Sequence, residues 1–182
     1  AQQHNAKNAW PETFADFLRA PLEGAAPCGY RPPSTGELEA LSHELCSLLE
    51  SQPLQAAHCL APLFLGTSLE RLRRLQPAHW KEDGVILGSH GIIAPAPEAV
   101  VRFLRAICVQ PNASGGKSAR KAAMATVRRH FRGRRDYEDK PLDSLARLGR
   151  YRQLNNKTLG LRQSQVLRMH RLRSAEHAMQ YF

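Results

Sequence analysis

The sequence predicts a mainly α-helical protein with a small helical N-terminal module and an extended, basic helical C-terminal arm. Leucines recur at helical spacing before residue 110, and proline, glycine and Ser/Thr capping pairs divide the chain into short helices. Charge is distributed unevenly: residues 1–100 hold 7 Lys/Arg and 11 Asp/Glu, a formal charge of −4, whereas residues 101–182 hold 19 and 5, or +14. We therefore divide the chain into a helical N-terminal extension, 1–96, and a basic region, 97–182, and expect the basic region to bind a polyanion.

Composition narrows the class of protein further. The chain has 182 residues, of which 42% are hydrophobic, enough to bury one core. No stretch approaches the ~18 consecutive apolar residues that a membrane span requires. The four cysteines follow no regular spacing, so reduced thiols are expected rather than disulfides. The first residue, Ala1, is compatible with a removed targeting presequence or with a chain boundary of another origin.

The first predicted elements are short and bounded by proline. Residues 1–10 read as an irregular tail, and a short helix is predicted from Pro11 to Pro21. A loop rich in glycine and proline is expected over residues 24–33. The buried face of this first helix would consist of Phe14, Phe17 and Leu18.

Two capping pairs mark the next helices. Ser34 and Glu37 form a predicted capping box, and Pro53 begins a further helix through Leu65. Thr67 and Glu70 repeat the capping pattern. The first of these helices carries leucines at helical spacing, at Leu38, Leu41, Leu45, Leu48 and Leu49. The apolar residues 85–88 and 92–93 are compatible with a small hairpin or with an apolar loop.

The second half opens with an amphipathic helix from Pro97 to Val109. Its apolar face is predicted at Val100, Phe103, Leu104, Ile107 and Cys108. A turn over residues 110–117 separates it from a basic helix that runs from Lys117 to about Arg132 and stops at Gly133. From Pro141 to about Tyr181 the pattern is again helical, ~60 Å long if unbroken, with possible bends at Gly149 and Gly160.

The basic arm carries the predicted nucleic-acid contacts. Its cations point in several directions around a helix, which suits a helix surrounded by the phosphates of folded RNA better than a membrane surface. Arginine grips phosphate through two hydrogen bonds and stacks on bases, and tyrosines add stacking surfaces. The predicted RNA-binding residues are Arg128, Arg129, Arg132, Arg134, Arg135, Tyr137, Lys140, Arg147, Arg150, Tyr151, Arg152, Lys157, Arg162, Arg168, Arg171 and Arg173.

An eight-residue run, Arg134-Arg135-Asp136-Tyr137-Glu138-Asp139-Lys140-Pro141, resembles the signature of the small-subunit ribosomal protein S-twenty-one family. That signature reads roughly Arg-Arg-acid-aromatic-Tyr-Glu-Lys-Pro and precedes an arginine-rich helix. Six positions match in place, whereas Glu138-Asp139 stands where the family has Tyr-Glu. Upstream, Arg102, Phe103, Arg105 and Cys108 resemble the family's Arg-Phe-x-Arg-x-Cys pattern with one extra residue. About twenty residues separate the two motifs, and residues 1–96 have no counterpart.

The resemblance implies a structural component of a mitochondrial small ribosomal subunit, located in the mitochondrial matrix. It would stabilise ribosomal RNA near the platform, close to the 3′ end of that RNA, and would contact neighbouring ribosomal proteins through its N-terminal extension. Another small-subunit family, S-fifteen, is a weaker match through residues 145–154. The alternatives are a non-ribosomal helical RNA- or DNA-binding module, a subunit of another mitochondrial assembly, or an RNA-processing enzyme whose site the sequence does not reveal.

Tyr137 has a specific expected role in this interpretation. Pro141 suits the first turn of a helix and disfavours helical backbone just before it, so Tyr137 is expected on an extended strap between two basic helices. There it would stack on a base or ribose, with packing on the protein's own helix as the alternative.

The candidate sites for other chemistry are weak. Ser114-Gly115-Gly116-Lys117-Ser118 resembles the end of a phosphate-binding loop, but Pro111 stands where that motif needs glycine. His90 lacks a recognisable nucleophile nearby. The acidic residues Asp136, Glu138, Asp139 and Asp143 could suggest a metal-dependent nuclease, but the cations that flank them would neutralise them.

Zinc is the metal to consider, because His43, Cys46, His58 and Cys59 carry suitable ligand atoms. His43 and Cys46 share a predicted helix face, whereas His58 and Cys59 are adjacent and diverge. Buried thiols and surface imidazoles explain them better. We expect no catalytic activity, no cofactor, no metal, no membrane and no small-molecule substrate.

Overall fold

The computed structural model describes residues 2–20, 22, 29–88, 90–110 and 115–180, with only the backbone for residues 2–9 and Pro11. It is mainly helical, as predicted. The helices are α1 (Gln2–Arg19), α2 (Thr35–Ser51), α3 (Pro53–Leu65), α4 (Leu69–Arg73), α5 (Glu98–Val109), α6 (Gly116–His130), α7 (Arg135–Asp139), α8 (Pro141–Asn155), α9 (Gln163–Met169) and α10 (Ala175–Ala178). Strands β1 (Gly84–Ile86) and β2 (Ile93–Pro95) form a hairpin, and 3-10 turns lie at Pro77–His79 and Lys157–Leu159.

Helix α3 is the centre of the molecule. Every residue from Ala56 to Leu65 is buried, and α2, α5, α6 and α8 all pack against it. The helix begins with Pro53 and ends at Gly66, whose φ of 69° is the left-handed conformation that glycine adopts without strain. Both ends were predicted from the sequence, and both are confirmed.

Local capping chemistry explains the neighbouring helices. The predicted capping box of α2 is present: the Glu37 N–H donates to Ser34 Oγ, and the Ser34 N–H donates to Glu37 Oε1. At α4 the prediction was wrong by one position, because Ser68, not Thr67, caps the helix by accepting from the Arg71 N–H. The hairpin alternative for residues 85–93 is confirmed, with Val85 opposite Ala94.

The N-terminal helix is longer than predicted. Helical backbone starts at Gln2, so residues 2–10 are not an irregular tail and Pro11 lies inside α1 rather than at its start. The predicted apolar residues Phe14 and Leu18 are buried, and Phe17 is partly buried. Pro21, residues 24–28, residues 111–114 and Tyr181 lie outside the described residues.

The predicted unbroken helix from Pro141 to Tyr181 is wrong. Helix α8 ends at Asn155, the Asn156 side chain accepts from the Thr158 N–H, and Gly160 turns the chain with a φ of 69°. The chain then folds back through α9 and α10. The physical reason is burial, since Val166, Met169 and Ala178 are all covered in this arrangement.

The basic region is therefore not an extended arm. One hydrophobic cluster includes residues from both sides of the predicted 96/97 boundary, from Phe14 in α1 to Met179 after α10. Helix α8 packs mainly on α3, and α6 packs on α3 as well. The amphipathic face of α5 is buried as predicted at Val100, Leu104 and Ile107.

Candidate nucleic-acid interface

In the run that resembles the S-twenty-one signature, Tyr137 and Pro141 are buried, whereas Arg135, Glu138, Asp139 and Lys140 are exposed. Tyr137 lies in the short helix α7, not on an extended strap, and its side chain is fully buried. Its ring packs against Phe131 with centroids 4.3 Å apart, and the Arg134 guanidinium lies 5.5 Å from the ring centroid. Proline disfavours helical backbone only at its immediate predecessor, so Lys140, with φ −137° and ψ 75°, leaves the helical region while α7 forms before it.

The acidic and basic members of the run also make internal contacts. Asp136 forms an ion pair with Arg147, and its backbone oxygen accepts from Ser144 Oγ at 2.8 Å. The Arg147 guanidinium lies 4.7 Å from the centroid of the Tyr30 ring. Arg134 Nη2 donates to the Arg31 backbone oxygen at 2.5 Å. This run therefore fastens α7 to α8 and to the segment before α2.

Burial changes the acidity of the tyrosines beside this ion pair. Burial raises the pKa of Tyr30 to about 12 although Arg147 lowers it, and burial also raises the pKa of Tyr137 well above its usual value. The two hydroxyls influence each other, yet neither makes a well-formed hydrogen bond within the described residues. Both side chains stay neutral and act through packing.

Four of the predicted RNA contacts are buried, which corrects the sequence-based interpretation. Tyr137, Tyr151, Arg150 and Arg152 are each at most 5% exposed. Arg150 donates to the backbone oxygens of Ala178 at 2.8 Å and Gly66 at 3.4 Å.

Arg152 and Tyr151 hold neighbouring elements in the same way. Arg152 donates to the Phe17 backbone oxygen and lies 5.3 Å from the Phe17 ring centroid, which ties α8 to α1. The Tyr151 ring meets Tyr30 edge-on at 5.1 Å. Burial lowers the pKa of both Arg150 and Arg152 to about 10, so both guanidinium groups remain charged near neutral pH. Because they bind backbone oxygens in the protein interior, they do not form the surface contacts with RNA that the sequence predicted.

The other predicted contacts keep their access to solvent. Arg134 and Arg147 are partly exposed, and ten more are exposed: Arg128, Arg129, Arg132, Arg135, Lys140, Lys157, Arg162, Arg168, Arg171 and Arg173. Some make internal contacts, such as Arg129 with Glu44 at 2.6 Å and Arg135 with Asp139 at 3.8 Å. Arg132 and Arg168 make no side-chain hydrogen bond or ion pair with the described residues.

Helix α6 presents a cationic face, of which the sequence-based list of contacts included Arg128 and missed Lys117 and Lys121. Lys117, Lys121 and Arg128 lie at i, i+4 and i+11, close to whole numbers of helical turns, and all three are exposed. Arg132 follows directly after the helix. Lys117 and Lys121 make no hydrogen bond or ion pair with the described part of the chain. Their helical spacing was the signal that could have identified them.

The opposite face of α6 is held to the acidic part of the chain. Ala123, Thr126 and Val127 are buried, and Gln55 donates to Thr126 Oγ1 at 2.9 Å. Glu44 in α2 accepts from Arg129 and pairs with His130, although it is itself only partly buried. Burial opposes ionisation of Glu44, but these hydrogen bonds outweigh burial and hold its pKa below the usual value.

Metal ligands and membrane spans can be located only among the described residues. Within them no group of three or more His, Cys, Asp or Glu is placed to bind a metal ion. The Cys59 thiol is buried against the Ala123 backbone oxygen at 3.8 Å, and burial raises its pKa to about 12. No helix among these residues has the length and apolar character of a membrane span. Ser114, part of the loop resembling a phosphate-binding motif, lies outside the described residues.

Comparison with known proteins adds no family to this picture. No family model, curated protein or solved structure matches the chain significantly.

Proposed function

We propose that this protein is an RNA-binding structural component of a mitochondrial small ribosomal subunit, where it neutralises RNA phosphates near the platform. The observation that carries the proposal is the cationic face of α6 and the turn that follows, formed by Lys117, Lys121, Arg128 and Arg132. Placement in the ribosome follows from the resemblance of residues 134–141 to the S-twenty-one signature. Neighbouring ribosomal proteins are the expected contacts for other surfaces.

Most cations of this face have no acidic partner among the described residues. The acids that do lie near α6, such as Glu44 and Glu138, bind Arg129 and the backbone of Gly133. Lys117, Lys121 and Arg132 are left to solvent and counterions. Because replacing condensed counterions with protein cations drives binding to polyanions, such a face suits a phosphate backbone.

Residues 134–141 support this face through Glu138 rather than forming it. Arg128 Nε donates to the Glu138 backbone oxygen at 2.9 Å, and the Gly133 N–H donates to Glu138 Oε1 at 3.0 Å. These two bonds hold the turn after α6 against α7. The turn that carries Arg132 is therefore held in place before RNA binds, which reduces the entropy lost on binding.

Salt dependence of binding tests the RNA contact directly. In the triple variant Lys117→Ala, Lys121→Ala, Arg132→Ala, the log–log slope of RNA affinity against salt should become shallower by roughly 2, since each phosphate contact contributes about 0.7–0.9. The variant Arg19→Ala, Lys81→Ala, Arg102→Ala has the same charge change at exposed positions elsewhere and should keep the wild-type slope. Equal slopes for both triple variants would contradict a contact through α6.

Sedimentation of a mitochondrial lysate tests the assembly. A ribosomal component should follow the small subunit at one copy per particle at moderate salt, and the α6 triple variant should shift toward the top of the gradient. A substoichiometric distribution would favour a regulatory RNA-binding module, and co-migration with a different particle would favour another mitochondrial assembly.

A further inference from the structure

A cavity of about 320 Å³ lies where the N-terminal and basic parts of the chain meet. Helices α3 and α4 form one wall, α8 forms another, and α6 reaches it through Arg120. This volume falls at the lower end of the range typical of small-ligand sites, about 300–1,000 Å³. None of its lining residues belongs to the cationic face of α6 or to residues 134–141.

The charge of the cavity favours an anion. Arg71, Arg120 and Arg150 line it, against the carboxylates Glu70 and Asp143. Arg73 acts electrostatically on His58, and Arg171 acts on Arg71, so further cations stand beside the lining. No carboxylate of the described residues lies within 4 Å of the Arg71 guanidinium. Such a positive environment opposes a metal cation and attracts phosphate.

The deep arginines are fixed in place by the protein itself. Arg71 Nη2 donates to the backbone oxygens of Leu87 at 2.6 Å and Met169 at 2.8 Å. Arg150 is held by Ala178 and Gly66, as described above. These bonds orient the cations before any ligand arrives, which lowers the entropic cost of binding.

At the edge of the cavity the ionic contacts are weaker and accessible. Glu70 Oε1 lies 3.5 Å from Arg120 Nε and 3.9 Å from His58 Nδ1. The Arg120 and Glu70 side chains are 52% and 49% exposed, whereas that of His58 is 7% exposed. A phosphate entering here could replace the Glu70 carboxylate as the partner of Arg120.

The remaining lining suits a flat heterocycle rather than phosphate alone. Leu142, Ala146 and Leu172 supply an apolar wall, and His58 and His170 supply imidazole rings. Unstacked bases are commonly held between apolar or aromatic side chains, histidine included, and arginine planes. Burial is the main cause that lowers the pKa of both histidines, that of His170 to about 3, which keeps His170 neutral at physiological pH.

We propose that this cavity binds one nucleoside monophosphate unit, with its phosphate at Arg120 and its base against the α8 wall. The unit is either a free nucleotide or a single unstacked nucleotide of a bound RNA, and the second form rests on the function proposed above.

Binding of AMP, adenosine and inorganic phosphate to the full chain, measured by calorimetry, tests the site. AMP should bind more tightly than either part alone. Arg120→Ala should weaken AMP binding at least about tenfold by removing a charge-assisted contact, whereas Lys121→Ala, its exposed neighbour outside the cavity, should change it less than about twofold. Glu70→Gln should strengthen it. Saturating AMP should also raise the pKa of His58, read by NMR, because a phosphate beside it stabilises the imidazolium.

A second pair of probes separates the two sources of the nucleotide. An RNA hairpin with one bulged nucleotide is compared with a fully paired hairpin of the same length, using wild type and Ala146→Leu, which fills the cavity. If wild type prefers the bulged hairpin and Ala146→Leu removes that preference, the site binds a nucleotide of bound RNA. Binding of AMP without any bulge preference assigns it to a free nucleotide.

The proposal is overturned if AMP and the bulged RNA show no advantage over phosphate and the paired RNA. It is equally overturned if Arg120→Ala and Lys121→Ala behave alike. Binding of paired RNA through the α6 face would survive either result, so failure of the cavity is distinguishable from failure of the proposed function. Arg120 is exposed, so AMP binding by Arg120→Ala still tests the site if Ala146→Leu disturbs folding.

Discussion

At the scale of single residues, burial decides what the residues of the basic region do. Tyr137 and Arg152 have the side-chain chemistry of RNA contacts, yet one packs on Phe131 and the other binds the Phe17 backbone oxygen. Lys121 and Arg132 have less distinctive sequence surroundings and are exposed without internal partners among the described residues. Cations and tyrosines in such a chain divide into those that hold the protein together and those that are free to bind phosphate.

Substitutions of Tyr137 test its internal role. Tyr137→Ala should lower the free energy of unfolding by about 3–5 kcal/mol, as for other fully buried aromatic residues, because it leaves a cavity beside Phe131. Tyr137→Phe should change it by less than about 1 kcal/mol, since the hydroxyl makes no well-formed hydrogen bond. Urea denaturation of the free protein measures both. An Ala variant as stable as wild type, with weaker RNA binding, would restore the stacking hypothesis.

At the scale of helices, close backbone approach matters more than bending. Gly149, expected from the sequence to bend a helix, is the point where α8 crosses α3. A Cβ at Gly149 would lie 2.4 Å from the Pro62 backbone oxygen and 2.8 Å from Gly66 Cα. Glycine is needed because the two backbones leave no space for a side chain.

Two glycine substitutions separate packing from helix propensity. Gly149→Ala should destabilise the protein by at least about 1–3 kcal/mol through overlap with α3. Gly36→Ala, in the first turn of α2 with nothing within 4 Å of the new Cβ, should be neutral or stabilising by up to about 1 kcal/mol. Thermal melts of both variants provide the comparison. If Gly149→Ala melted at the same temperature as Gly36→Ala, the α3–α8 crossing would have space for a side chain.

The ion pair between α2 and α6 predicts a pH dependence of stability. Because the folded-state pKa of Glu44 is lowered, its contribution is present above the unfolded-state pKa near 4.5 and is lost as pH falls through the folded value. Glu44→Gln should destabilise the protein at pH 7 and flatten the loss of stability toward pH 3. Glu39 lies on the same helix as Glu44 and forms an exposed ion pair with Arg19 of α1. Glu39→Gln should leave the acid dependence of stability unchanged. Urea denaturation midpoints of wild type and both variants, measured from pH 7 to pH 3, provide the comparison.

At the scale of the whole molecule, the N-terminal and basic halves form one hydrophobic core together. The sequence suggested a helical N-terminal extension, residues 1–96, followed by a basic region, residues 97–182, with an extended arm. In the structure α3 is covered by α6 and α8, so removing them would expose the centre of the core. The acidic part also supplies Glu44 and Glu70 to Arg129 and Arg120, which relieves part of the repulsion expected within the basic region.

Fragments of the chain test this dependence. A peptide of residues 133–182 should be largely disordered alone, because the buried face of α8 has no α3 to pack against. Adding a fragment of residues 1–132 should restore helical circular dichroism, whereas the same peptide carrying Gly149→Ala should respond weakly. A peptide that is fully helical by itself would show that α8 does not need α3.

The sequence by itself determined the features that depend on neighbouring residues. Proline and glycine bound α3, Ser34 and Glu37 begin α2, and apolar spacing defines α5, because capping and periodicity act within a few residues. It also determined the charge difference between the halves, which motivates a polyanionic partner.

The tertiary structure alone decided which side chains of the basic region face outward. Arg150 is buried by contacts with Gly66 and Ala178, and Arg152 by contact with Phe17, all distant in sequence. Helical periodicity in a segment rich in cations on every side gives no buried stripe from which to predict such contacts. The cavity was unpredictable for the same reason: His58, Arg120 and Arg150 meet only when α6 and α8 pack on α3.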